Sequence, residues 1–141
     1  MSIDFGKQLP TRPKIVISAS EHARLLALAE KRAGAVAEFL IDELSRADIV
    51  RDEEFESDVV RMGSQVTYLD EVSGRTRTVT LVYPDEADID QNRISILTPI
   101  GAALIGLRPS QSITWPHPDG RVGSLKVLAV SNEQQDEKQQ Q

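Results

Sequence analysis

The hydrophobic period of this chain changes partway along it, and that change restricts the fold more than any other feature. From Ser20 to Ala47 apolar residues recur every three or four positions, whereas from Val66 to Tyr83 they alternate with polar ones. A 3.6-residue period buries one stripe of a helix and a period of two buries one face of a strand, so neither segment can take the other's form. A helical part must precede a sheet part. At 141 residues the chain fits one compact domain with an appendage or two small domains, and is too short for a multi-domain enzyme.

Ser18 and Glu21 have capping-box spacing, so a helix is expected to begin near Ala19, with Leu25, Leu28 and Ala29 on its apolar face. Ala33-Gly34 interrupts the pattern. Val36, Phe39, Leu40, Leu44 and Ala47 then mark a second helix, and two such helices joined by a few residues pack antiparallel. At 1.5 Å per residue the hairpin projects only about 20 Å. Its tip is Lys31-Arg32-Ala33-Gly34, basic and small. Ile15-Val16-Ile17 reads as an edge strand or as the entry to the first helix, and the acids from Asp48 to Asp58 read as a polar connector.

The sheet part is expected to hold five short strands. Val66 and Tyr68 lie on the first, Ser73-Gly74 turns the chain, and Thr76 to Tyr83 alternates again; Ser112 to Trp115 and about Gly123 to Val130 supply two more, around a turn at Asp119-Gly120. The block from Pro84 to Gly106 carries the remaining strand, Arg93 to Leu97, behind an acidic loop. Thr98 can cap a helix that starts at Pro99, where the missing N–H costs nothing. Ile100, Leu104 and Ile105 share a side of that helix, and Gly106 supplies a left-handed residue beyond its end. The class is therefore α+β: a helical hairpin at 15–50, a connector at 51–57 and a small antiparallel sheet with one helix at 58–131. Residues 1–14 read as a flexible leader and the Gln- and Glu-rich 132–141 as a disordered tail.

The loop-strand-helix block offers no catalytic arrangement, but acids at its rim make it a docking surface. Net charge is -6, a field that repels nucleic-acid phosphate and anionic lipid and favours a partner with basic grooves. The absence of cysteine excludes disulfide scaffolds, thiolate zinc sites and thiol nucleophiles, and fits a reducing cytoplasm. No window approaches the ~20 apolar residues of a membrane helix.

Other candidate chemistry reads as structural. Glu38, Asp42 and Glu43, with Arg46 four residues after Asp42, make a solvated, ion-paired helix face rather than a metal site, because hard cations take six or more oxygens. His22 and His117 each stand alone without a nucleophile or orienting group, and are expected at the surface. Arg75 and Arg77 read as a solvated hairpin edge that discourages strand association. Trp115 reads as a packing residue; a prolyl isomerase pocket would require Tyr68, Tyr83 and Trp115 to converge on one cavity. No cofactor and no metal are expected.

The run Asp85-Glu86-Ala87-Asp88-Ile89 and the run from Ser95 through Thr98-Pro99-Ile100-Gly101 to Leu104-Ile105-Gly106, with Met62 to Val66 upstream and Pro118 to Gly120 downstream, resemble the C-terminal domain of the bacterial GreA/GreB transcription elongation factors. The likeness covers about residues 59–130. The family pattern has Ser at Thr98, which keeps a hydroxyl, and an acid at Ser110. Val60 to Ser64, Thr80 to Pro84 and Pro99 to Arg108 are similar to the Rnk subgroup, named as regulators of nucleoside diphosphate kinase.

The resemblance implies an FKBP-like sheet domain that docks on the rim of the RNA polymerase secondary channel. The implied contacts are Asp85, Glu86 and Asp88 with Thr98, Pro99, Ile100 and Gly101. Long members of the family carry acids at the tip of a coiled coil that help hold the catalytic magnesium for transcript cleavage. The tip here, Lys31 and Arg32, is basic on a short arm, so the expectation is a monomer that competes with longer Gre factors without cleaving RNA and meets nucleic acid only through polymerase. Three alternatives stand beside it: an active cleavage factor with Glu30 and Glu38 nearest the tip, a peptidyl-prolyl isomerase by fold analogy alone, and an interaction module with an unrelated partner.

Overall fold

The computed structural model describes residues 12–116 and 120–132. Most of the expected leader and tail, together with His117 and Asp119, lies outside the described residues. The chain opens with β1 (Val16–Ser18), α1 (Ala19–Glu30), α2 (Ala35–Arg46) and β2 (Asp48–Val50), continues through β3 (Gln65–Asp70), β4 (Thr76–Val82), β5 (Arg93–Ser95) and α3 (Pro99–Leu104), and closes with β6 (Ser112–Pro116) and β7 (Val122–Ser131). It is an α+β fold in which a helical hairpin precedes a mostly antiparallel five-stranded sheet with one short helix.

The hairpin forms where the period requires. Leu25 and Ala29 of α1 and Ala37, Leu40 and Leu44 of α2 are buried. Gly34 enters α2 at φ +115°, a left-handed conformation that costs glycine least. Ile15-Val16-Ile17 resolves as an edge strand, and its partner lies in the segment expected to be a connector: Val16, Ile17 and Ser18 pair in parallel with Asp48, Ile49 and Val50. Ile49 is 53% exposed, so β2 leaves no apolar signature and is held by main-chain pairing, including Asp48 N–H to the Ile15 carbonyl at 2.9 Å.

The capping box at α1 is half made. Ser18 Oγ accepts from Glu21 N–H at 3.4 Å, but the Glu21 carboxylate reaches away from the cap to Met62 N–H and Arg61 Nε, each at 3.4 Å. Glu21 is buried between the hairpin and the sheet. That burial raises its pKa above the ordinary 4.5, with Arg61 and the Met62 amide only partly offsetting it. A carboxyl whose folded-state pKa is raised favours folding in its neutral form, and that contribution is lost as pH rises from 4.5 through the folded value. Urea midpoints of E21Q, which has no such titration, should therefore gain on the parent as pH climbs through this window; a constant difference would remove Glu21 as the cause.

The sheet order is β5-β4-β3-β7-β6. It departs from the antiparallel expectation at one edge, where β4 and β5 run parallel in the register Thr80↔Arg93, Leu81↔Ile94, Val82↔Ser95. A parallel pair requires the chain to travel back between strands. Two 3₁₀ turns, Pro84–Glu86 and Ile89–Gln91, make that return. β5 also stops at Ser95, short of Leu97, because the Ser95 side chain and carbonyl turn the chain: Leu97 N–H donates to Ser95 Oγ at 2.9 Å and Thr98 N–H to the Ser95 carbonyl at 3.1 Å.

One buried cluster spans both parts, from Ile15, Ile17, Leu25, Leu40 and Leu44 through Val66, Tyr68, Leu81, Ile96 and Leu104 to Leu125 and Val127. Gly106 ties them together. Val16 N–H donates to its carbonyl at 3.2 Å, and its own N–H donates to Val60 at 2.9 Å. Its φ is +81°, and a Cβ there would stand 2.7 Å from Ile15 Cβ, so the hairpin seats itself where only glycine fits.

Candidate docking surface

The acidic loop is built by local hydrogen bonds. Glu86 N–H closes the first turn on the Tyr83 carbonyl at 2.9 Å. Asp88 and Arg93 exchange both main-chain bonds at 2.9 Å, and Asp88 Oδ1 accepts from Asp90 N–H at 3.1 Å. Asn92 turns the corner at φ +58°, a conformation asparagine tolerates. Asp85, Glu86 and Asp90 stay exposed, whereas Asp88 is half-buried and its carboxylate shapes the loop. Behind it, the Arg24 guanidinium of α1 lies 4.7 Å from the centre of the Tyr83 ring. Burial raises the Tyr83 phenol above its ordinary pKa.

The strand-helix corner follows the expected capping chemistry. Thr98 Oγ1 accepts from Gly101 N–H at 3.1 Å and donates to the Ser95 carbonyl at 2.7 Å, and Pro99 opens α3. From Gly101 to Leu107 every residue is buried, leaving Pro99 and Ile100 as the half-exposed start of the helix. Gly101 presents no surface of its own. A Cβ on it would run into the Ser95 carbonyl and come within 3.0 Å of Ile96 Cα, so its role is to let α3 sit against the β5 exit. The structure thus brings Ala87 and Ile89 of the acidic loop to the same concavity as Thr98 and Ile100, with Gly101 buried beneath.

Sequence reasoning missed the cleft beside this corner. A concavity of about 510 Å³ runs between β3, β4, β5 and α3, with Tyr68, Val79, Ile94 and Ile100 on its apolar side, Arg77 and Arg93 along it, and Ile89 at its lip. Ile89 is 86% exposed. The available signal was an isoleucine between Asp88 and Asp90, where no strand or helix face asks for one. Trp115 lines a separate, smaller hollow of about 230 Å³, in which Gly123 lies flat against the indole because a Cβ there would approach Trp115 Cε2 to 2.5 Å. Tyr68 lines the first of these hollows and Trp115 the second, and Tyr83 lines neither.

The hairpin tip, Lys31 to Gly34, is exposed. Below it, Glu38 and Asp42 are exposed as expected, but Glu43 is only 1% exposed, against the expectation of a solvated face. Arg12, from 31 residues upstream, donates to Glu43 through Nε at 2.8 Å and also through its terminal nitrogen, and Arg46 donates at 2.8 and 3.1 Å. Arg46 therefore pairs with Glu43, leaving Asp42 to Arg12. His22 is half-buried, its Nε2 2.9 Å from the Leu44 carbonyl, where it ties α1 to α2. Among the described residues no group of three His, Asp or Glu side chains is arranged to hold a metal ion, and no helix is long and apolar enough to cross a membrane.

Comparison with known proteins gives a consistent set of likenesses. The family described as transcription elongation factor GreA/GreB, C-terminal, matches residues 55–132, and the Rnk N-terminus matches residues 13–50. The chain is 38% identical over 123 residues to the regulator of nucleoside diphosphate kinase of Escherichia coli K12, covering 85% of this chain and 90% of that protein. It is 34% identical over 136 residues to transcription elongation factor GreA of Azorhizobium caulinodans, covering 88% of this chain and 85% of the relative. Among solved structures, the prokaryotic transcription elongation factor GreA/GreB of Nitrosomonas europaea superposes with a TM-score of 0.67 at 39% identity, over 85% of this chain and 99% of that one.

Proposed function

Because the chain belongs to the GreA/GreB transcription elongation factor family, we propose that it is a cytoplasmic regulator that binds RNA polymerase at the rim of the secondary channel and acts there as a monomer. The observation that carries this reading is the corner itself: α3 is buried except at Pro99 and Ile100, and Ile100 lines one concavity with Ala87 and Ile89 of the loop that carries the exposed carboxylates of Asp85 and Glu86. An apolar centre with a charged rim is the anatomy of a specific protein interface. Asp85 and Glu86 meet basic groups on polymerase, Asp88 and Thr98 hold the loop and helix start in place, and Gly101 seats the helix.

The protein regulates without cleaving transcripts. Each hairpin helix has 12 residues, about 18 Å of arm, and the tip offers Lys31 and Arg32 where cleavage would need carboxylates to share a magnesium ion. Occupying the channel entrance, it competes with longer Gre factors. In a pull-down on purified core polymerase, the parent should be retained and displaced by a long Gre factor, and the P99D/I100D variant should be lost while its circular dichroism and melting match the parent. Retention of P99D/I100D at parental levels would sink the assignment. Stalled elongation complexes should show no added RNA cleavage; stimulation would reinstate the cleavage reading.

A further inference from the structure

Ile89 lies outside the interior and is held there. Among the described residues it is the most exposed large apolar side chain, at 86%, with Val72 next at 70%. Its backbone is fixed all the same: Asp88 and Arg93 exchange both main-chain bonds at 2.9 Å, Gln91 N–H donates to the Asp88 carbonyl at 3.0 Å, and Asn92 N–H donates to the Ile89 carbonyl at 3.0 Å. The isoleucine is thus presented at the lip of the cleft of about 510 Å³ whose apolar side is Tyr68, Val79, Ile94 and Ile100. A knob fixed beside an open hole has already lost the freedom that binding would otherwise remove.

We propose that the free protein pairs with a second copy of itself through this surface, Ile89 of each protomer seating in the cleft of its partner. Two properties select a second copy. Knob and hole lie side by side on one face, so a single two-fold rotation satisfies both contacts and closes the assembly at two. The signs match as well. Ile89 stands between Asp88 and Asp90, with Asp85 and Glu86 just before it, whereas the cleft is lined by Arg77 and Arg93 against one acid, Asp70. Asp70 is engaged elsewhere, its Oδ1 accepting from Val72 N–H at 2.9 Å and Ser73 N–H at 3.1 Å. An acid-flanked isoleucine therefore enters an apolar cleft with a basic margin, and local sign favours the contact whichever acid meets each arginine. The net charge of -6 on each protomer opposes pairing, and one knob from each side is a small contact, so the dimer is weak and forms as concentration rises. Because Ile100 lines the cleft that the partner fills, a paired copy hides the docking corner. That consequence rests on the polymerase reading; the pairing itself does not.

Sedimentation velocity of the full chain tests this. The parent should shift from monomer toward dimer between low and high micromolar concentration, and I89D should stay monomeric throughout. V72D introduces the same charge at an exposed residue that does not line the cleft, and should pair as the parent does; melting curves verify that each variant folds. The backbone amide resonances of Val79 and Ile94 should move with concentration in the parent and stay fixed in I89D. A parent that remains monomeric, or an I89D that pairs like the parent, overturns the inference and leaves the polymerase reading standing. A monomeric parent whose retention on core polymerase is lost in I89D also overturns it, and gives the cleft to polymerase. If the parent pairs as expected while P99D/I100D is retained on polymerase at parental levels, the dimer stands and the polymerase reading falls.

Discussion

Replacing Glu43 with alanine should lower the melting temperature by roughly 10 °C, from a loss of about 3 kcal/mol in a chain of this size. Glu43 is 1% exposed and its two oxygens accept from both Arg12 and Arg46. Removing it leaves two guanidinium groups facing a cavity in the base of the hairpin. The cost stays at the lower end for a broken buried cluster because the arginines are themselves 29% and 27% exposed and can turn to water. More is lost than one pair: Arg46 also donates to the Arg12 and Pro13 carbonyls, and Arg12 stacks 5.3 Å from the centre of the Phe39 ring. Asp42 supplies the contrast. It meets the same Arg12 at 2.6 Å but is exposed, so D42A should cost less than about 1 kcal/mol. Equal melting of E43A and D42A would show that the burial of Glu43 carries no weight.

The second large effect is expected at Gly101. An alanine there puts a methyl group into the Ser95 carbonyl and close to Ile96 Cα. Both are backbone, so no rotamer change relieves the overlap, and either α3 or the β5 exit must move. Overpacking typically costs about 1–3 kcal/mol and more where backbone is displaced, so G101A should fall at or above about 3 kcal/mol in urea unfolding, with reduced soluble yield. Its neighbour separates fold from function. I100A removes a half-exposed side chain and should leave stability within about 1 kcal/mol while weakening polymerase binding. If G101A melts like the parent, α3 is not seated as described.

What could be read from the chain was whatever local chemistry decides. Ser18 and Thr98 announce helix starts through hydroxyls that the following amides need, Pro99 fits the first helical position, and the apolar periods separate hairpin from sheet. Strand direction carries no such mark. Thr76 to Val82 alternates in the same way whether its neighbour runs parallel or antiparallel, so the parallel β4–β5 edge was invisible. β2 was missed because Ile49 faces outward and only backbone bonds hold the strand. Glu43 was misplaced because its helix face was judged by Arg46 alone, and Arg12 arrives from 31 residues away. At the candidate site, Pro99, Ile100 and the acids follow from the loop and cap. The cleft does not, since Tyr68, Val79, Ile94 and Ile100 come together only once β3, β4, β5 and α3 are assembled.

The bond from Val16 N–H to the Gly106 carbonyl, and the buried cluster shared across it, bear on how this architecture can be altered. The arm is not a cassette that can be exchanged at the exposed stretch 51–57. A backbone cut there would leave two fragments that still share one interior and stay together. Grafting a longer arm onto this sheet domain would have to carry Ile15 to Ser18 along with it and keep glycine at 106. An arm lengthened at its tip, between Lys31 and Gly34, disturbs none of these contacts, so reach can change there while the proposed docking corner keeps its form.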